Sequence, residues 1–246
     1  GLLAAWWAVS LARRAPSARF TYGLRASTII AAFTNAILLV VAVGGISWEA
    51  IRRLADPVPV GELTMISVAL VGVVINVITA VMLSKGRQDD MNMRGAYLHM
   101  VADAAVSVGV AVAGVGIILT GWLWLDPVVS LVIAAVILVG TWGLFQESLR
   151  LSLHAVPAGI DLPVVRSYLQ QLPGVREVHD LHVWGMSTTE TALTAHLVMA
   201  GGHPGDDFIR RVAGELEAEF RIGHPTLQIE LADGAGSCRF APGDVV

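Results

Sequence analysis

The sequence predicts an α-helical membrane domain joined to a small C-terminal α/β domain, and three observations carry that expectation. Of the 246 residues, 55% are hydrophobic and only 15% charged, with a mean hydropathy of +0.67, where soluble domains average about a quarter charged residues. The long apolar runs are confined to roughly the first 145 residues, while 155–246 have an ordinary globular mixture. Within the first part the runs approach the ~20 residues a helix needs to cross hydrocarbon. Within the second, the hydrophobic period alternates between helix and strand spacing. The formal net charge of −4 hides basic loops in the first half and an acidic second half, a distribution that suggests no nucleic-acid surface. A single cysteine, Cys238, excludes an internal disulfide framework and any CxxC metal clip.

The first element, GLLAAWWAVSLA, covers residues 1–12 and is too short to span. With no initiator Met and no cleavage pattern, it reads as a partial span of a chain that begins inside a transmembrane helix. A loop carrying Arg13, Arg14, Arg19 and Arg25 follows, then a span over about 27–48. Glu49, Arg52 and Arg53 lead into the Pro/Gly turn ADPVPVGE and a span over about 63–83. The polar loop SKGRQDDMNMR precedes a span over about 95–120, and GWLWLDP connects tightly to a last one over about 127–145. There Asp126 before Pro127 has the pattern of a helix N-cap followed by a first-turn proline. Loops 13–25 and 85–94 and the exit at Arg150 share one side and hold seven Arg and one Lys. By the excess of basic residues on cytoplasmic loops, that side and the C-terminal domain are cytoplasmic.

Past a boundary at 153/154, DLPVVRSYLQQLPG is a short amphipathic helix. VREVHDLHVWGMS and TETALTAHLVMA alternate as two strands, DDFIRRVAGELEAEF is a second helix, and PTLQIELAD a third strand. The order α-β-β-α-β over 154–234 predicts a small open sheet backed by helices, with 235–246 a loose tail.

Two groups of residues point to chemistry. In YLHMVAD, His99 and Asp103 stand four apart inside a span, so a helix puts both on one face. Ionisable groups in a span are costly and mark ion or proton paths, with interhelical hydrogen bonding as the structural alternative. An imidazole plus a carboxylate suits Zn2+, but two ligands are too few for a tetrahedral site. Asn35 and Asn76, also deep in spans, suit interhelical packing. In the second domain His179, His182, His196, His203 and His224 lie along the sequence with Glu230, and the strands around 179, 196 and 230 have room to converge at one sheet edge. Such a cluster is a metal site, a pH switch or polar surface. Strand alternation puts His179 and His182 on opposite faces, and His154, His182 and His203 read as structural or surface residues.

The runs TYGLRASTIIAAFTNAILL, WEAIRRL, NMRGAYLHMVADAAVSVGV, DPVVSLVIAAVIL, VHDLHVWGMSTTETALTAHLVM and HPTLQIEL, in that order, resemble the cation diffusion facilitator family of metal transporters over essentially the whole chain. The resemblance implies a six-helix membrane domain, whose first helix and part of the second would precede Gly1, and a cytoplasmic metallochaperone-like, ferredoxin-like domain. It implies a multi-pass homodimer in a bacterial inner or plasma membrane that exports divalent cations in exchange for protons. Zn2+ is the foremost cargo, with Cd2+, Co2+, Fe2+ or Mn2+ as others.

His99 and Asp103 match the fifth-helix half of the family's transport site, the other half falling upstream of Gly1. His179, His196, His224 and Glu230 match its cytoplasmic ligands. Protonated ligands do not coordinate metal, so metal and proton would compete at His99 and Asp103, which is antiport. The loop SKGRQDDMN lacks the His-rich insertion of some relatives, and its Asp89 and Asp90 suit solvated charge. A membrane-anchored sensor or scaffold that does not transport is the rival class. An enzyme is weaker still, because no HExxH or GxSxG pattern occurs.

Overall fold

The apolar runs fold into helices that outlast the predicted spans. In the computed structural model, residues 2–56, 61–84 and 91–231 are described, with side chains outside that description at 2–5, 62, 83, 91–96, 98 and 99. The helices are α1 (Leu2–Ala12), α2 (Ser27–Ala55), α3 (Glu62–Leu83), α4 (Met91–Thr120) and α5 (Leu125–Ser152). Among the described residues, α2 to α5 are long and apolar enough to cross a membrane, and only 6–17% of each apolar window is buried within the protein. Their apolar faces therefore point outward, as lipid contact requires. Helix α2 runs seven residues past its predicted end at Trp48 because Glu49 and Arg53 pair one turn apart at 3.1 Å, and its last turn ends on Arg52 and Arg53. Helix α5 begins at Leu125, one residue before the predicted cap. Asp126, buried, is therefore inside the first turn, and its carboxylate accepts from Arg53 Nη1 at 3.2 Å. The predicted turn at 57–60, Asp89, Asp90 and the tail lie outside the described residues.

By proximity the chain forms two units, Leu38–Thr141 and Gly1–Ile37 with Trp142–Val246. In the first, α3 packs on α4 through small residues. A Cβ added to Gly114 would stand 2.6 Å from Ile66 Cγ1 and 3.0 Å from Met65 Cε, so only glycine allows this approach. Gly114→Ala is expected to destabilise the helix pair by ~1–3 kcal/mol, the usual cost of overpacking. Gly109→Ala, whose methyl would meet nothing within 4 Å, is the control. Thermal unfolding in detergent compares the two.

In the second unit, α6 (Leu162–Gln170), β1 (Val175–Gly185), β2 (Thr191–Met199), α7 (Asp206–Phe220) and β3 (His224–Leu231) follow the predicted α-β-β-α-β order. Asp161 caps α6, accepting from Val164 N. Helix α7 ends on Arg221 in the left-handed region, with Ile222 N bonding back to Leu216 O. The sheet has order β1-β2-β3: β1 and β2 are antiparallel, while β2 and β3 are parallel with α7 as crossover. One sheet face carries Val178, Leu181, Val183, Leu193, Ala195 and Leu197. It packs on Val165 and Leu169 of α6 and Phe208, Val212 and Leu216 of α7, spaced four apart as a helical stripe requires.

Tyr168 donates its hydroxyl to Glu215 across α6 and α7. Burial first, then this bond, pushes the tyrosine above its ordinary range, while the bond holds the Glu215 carboxyl below its own. The raised phenol stabilises below its ordinary value of about 10 and the lowered carboxyl above its value of about 4, so the pair supports the fold across neutral pH. Arg25 pairs with Glu190 at 2.8 Å, Thr188 N donates to Thr28 Oγ1 at 3.2 Å, and Tyr22 meets the His224 ring edge-on at 5.4 Å. The loop before α2 is thereby tied to the sheet domain.

Candidate metal centre

The sheet face turned away from α6 and α7 carries the imidazoles, and an irregularity in β1 decides which of them meet. Between the pairs His179↔His196 and His182↔Thr194, β1 advances three residues and β2 only two. The extra residue is Asp180, at φ +49°, a left-handed conformation that Asp tolerates better than most residues. The bulge returns Leu181 to the core at 0% exposure and leaves His179 and His182 both off the core face. This corrects the opposite-face expectation, since alternation by two fails wherever a residue is inserted.

His179 of β1, His196 of β2 and Glu230 of β3 each offer a ligand atom within 4.8 Å of the others. They meet across three strands on one face rather than at a sheet edge. His196 Nδ1 lies 2.9 Å from Glu230 Oε1, His179 Nε2 lies 3.3 Å from Glu230 Oε2, and the two rings stand edge-on at 5.2 Å. Gln228, the register partner of His196, donates to Glu230 Oε1 at 3.0 Å and helps fix that carboxylate. His179 is buried, and among the described residues neither ring nitrogen makes a hydrogen bond, although Nε2 approaches Glu230 and Nδ1 stands 3.9 Å from Glu177 Oε1. A buried polar atom left unpaired costs ~1–3 kcal/mol. A cation between His179, His196 and Glu230 would remove that cost, and two imidazoles with a carboxylate form a donor set that suits Zn2+.

His224 does not join them. It begins β3 opposite Ala192, six residues before Glu230, which is ~20 Å of strand. The resemblance implied a ligand at the His just before the third strand; within one chain the length of β3 separates that position from Glu230. His203 Nδ1 accepts from Gly205 N at 3.1 Å in the loop before α7. His154 follows α5 at φ +56°, exposed. Asp103 lies partly buried on α4, with Ser107 Oγ donating to its backbone carbonyl at 2.9 Å. His99 belongs to the same helix, its side chain outside the described residues. Asn35 and Asn76 are partly buried on α2 and α3. Sequence reasoning passed over Asp180, whose only signal was an Asp between two histidines in VHDLH.

Residues 1–151 match a family model described as the cation efflux transmembrane domain, and 157–232 match one described as the cytoplasmic domain of cation efflux proteins. The chain belongs to the cation efflux family. It is therefore a multi-pass membrane transporter with a cytoplasmic C-terminal domain, not an enzyme. Among its relatives, the cation efflux system protein CzcD of an Alcaligenes species is 35% identical over 92% of this chain and 72% of its own. The zinc transporter ZitB of Escherichia coli is 35% identical over 93% and 74%. The cadmium, cobalt and zinc/H(+)-K(+) antiporter of Bacillus subtilis is 31% identical over 93% and 75%. Among solved structures, the metal-bound C-terminal domain of the CzcD transporter of Cupriavidus metallidurans is 32% identical over 29% of this chain and all of its own, with a TM-score of 0.28.

Proposed function

We propose that this efflux protein exports divalent cations, Zn2+ foremost, from the cytoplasm in exchange for protons. It does so as a homodimer joined through the cytoplasmic domain. Asp103 carries the proposal: it is the single ionisable residue of the membrane-length segment Met100–Thr120 and is partly buried there. A carboxylate at that depth attracts a cation strongly and takes up a proton when the cation leaves. His99, four residues earlier, supplies a second ligand, and His179, His196 and Glu230 bind metal on the cytoplasmic side as a sensor that biases the domain arrangement. Relatives named as a zinc transporter and as a cadmium, cobalt and zinc/H(+)-K(+) antiporter support this reading of cargo and exchange.

Proteoliposomes with the cytoplasmic face outward and a Zn2+-sensitive dye inside test it. Accumulation is expected to rise when the lumen is acidic and to fall when the gradient is collapsed. Uptake indifferent to the gradient would remove proton exchange, and binding without uptake would leave a membrane-anchored sensor.

A further inference from the structure

We infer that Asp180 is a positioning residue of the cytoplasmic metal centre, holding the His196 imidazole so that Nδ1, and not Nε2, is its metal-binding nitrogen. The inference rests on His179, His196 and Glu230 forming a metal site, and deepens that reading.

His196 stands between two carboxylates. Its Nδ1 is 2.9 Å from Glu230 Oε1, beside His179, while its Nε2 is 3.3 Å from Asp180 Oδ2. A neutral imidazole has one N–H and one lone pair. A cation seated between His179, His196 and Glu230 takes the Nδ1 lone pair, which puts the proton on Nε2, facing an acceptor. This is the carboxylate–histidine–metal arrangement in which the outer carboxylate fixes ring orientation and raises ligand basicity.

Asp180 is itself held. Its other oxygen, Oδ1, lies 2.9 Å from His182 Nε2. His182 is half exposed, with its side chain at 49%, whereas Asp180 is at 21% and His196 at 12%. Polar contacts therefore run inward from the solvent-facing His182 through Asp180 to His196. The bulge has a function in this arrangement. In a regular strand, residue 180 would point into the core with Val178, and the left-handed turn at φ +49° turns its carboxylate onto the imidazole face. Asp180 is not placed as a ligand: the atoms that come within 4.8 Å of one another belong to His179, His196 and Glu230.

The test uses the full chain in nanodiscs with 15N-labelled histidine, titrated with Zn2+ alone and followed at the His196 ring resonances, which His196→Gln identifies. Asp180→Gly keeps the left-handed backbone and removes the acceptor; Asp180→Asn keeps the conformation and a neutral acceptor oxygen. Asp180→Gly is expected to weaken Zn2+ binding at His196 by ~10–100-fold and to let Nε2 compete with Nδ1 as the metal-bound nitrogen. Asp180→Asn is expected to recover most of the affinity and the Nδ1 ligation. Unchanged affinity and ligation in Asp180→Gly overturn the inference, and an Asp180→Asn loss as large as that of Asp180→Gly overturns it in favour of direct ligation. Wild-type protein whose His196 resonances ignore Zn2+ overturns the metal site itself.

Discussion

Replacing Asp103 with alanine is expected to lower Zn2+ transport into proteoliposomes by about 100-fold or more, while the protein stays folded. Removing one partner of a buried charge pair costs ~3–5 kcal/mol, and each 1.4 kcal/mol is a factor of ten in affinity. In the membrane-length part of α4 no other ionisable side chain is available to take over. Alanine is the best helix former, and the bond that Ser107 Oγ donates to the Asp103 carbonyl uses the backbone acceptor, which alanine retains. Asp103→Asn keeps the shape and removes the charge, so an equal loss assigns the effect to the anion. Full uptake in Asp103→Ala would sink the ligand assignment, and a loss confined to protein with altered circular dichroism would assign it to folding.

The membrane helices and the α-β-β-α-β order were legible because both rest on local periodicity, which the chain shows without knowledge of its partners. Helix ends were less so. Glu49 and Arg53 extend α2 past Trp48 through an i,i+4 pair, and Arg53 also reaches Asp126 of α5, a contact 73 residues away in sequence that turns a predicted cap into an ion-pair partner. The metal centre shows the same division. His179, His196 and Glu230 were nameable only through the family resemblance, since their spacing specifies nothing by itself; which histidines share a face depends on strand register, and register here turns on the single residue inserted at Asp180. His224 shows a related limit: sequence position locates it on β3, whereas only the length of the strand shows that within one chain it begins at the far end from Glu230. Pairing and insertion are non-local, and no window of the sequence contains them.

His179→Leu is expected to separate stability from function at the cytoplasmic centre. His179 is buried and, among the described residues, neither ring nitrogen makes a hydrogen bond, so the metal-free fold carries a desolvation cost of ~1–3 kcal/mol that an apolar side chain of similar size avoids. The metal-free variant should therefore be at least as stable as the parent, unlike most changes at buried positions. Its response to metal should vanish. A ligand at 100 times its dissociation constant stabilises the state that binds it by ~2.7 kcal/mol, and with only His196 and Glu230 left the centre falls below the donor count of a tetrahedral site. Glu230→Gln, which keeps the shape but removes the anionic donor, should likewise lose the response, without the gain in metal-free stability. Thermal unfolding of the three proteins, with Zn2+ and with a chelator, reads both effects at once. A His179→Leu variant that unfolds earlier than the parent in chelator would mean that the imidazole is satisfied in the metal-free fold. Stabilisation by Zn2+ persisting in both variants would mean that the ion binds elsewhere. The combination of higher metal-free stability with a lost metal response distinguishes a ligand from a structural histidine, because a structural histidine would lose stability on replacement and leave the metal response intact.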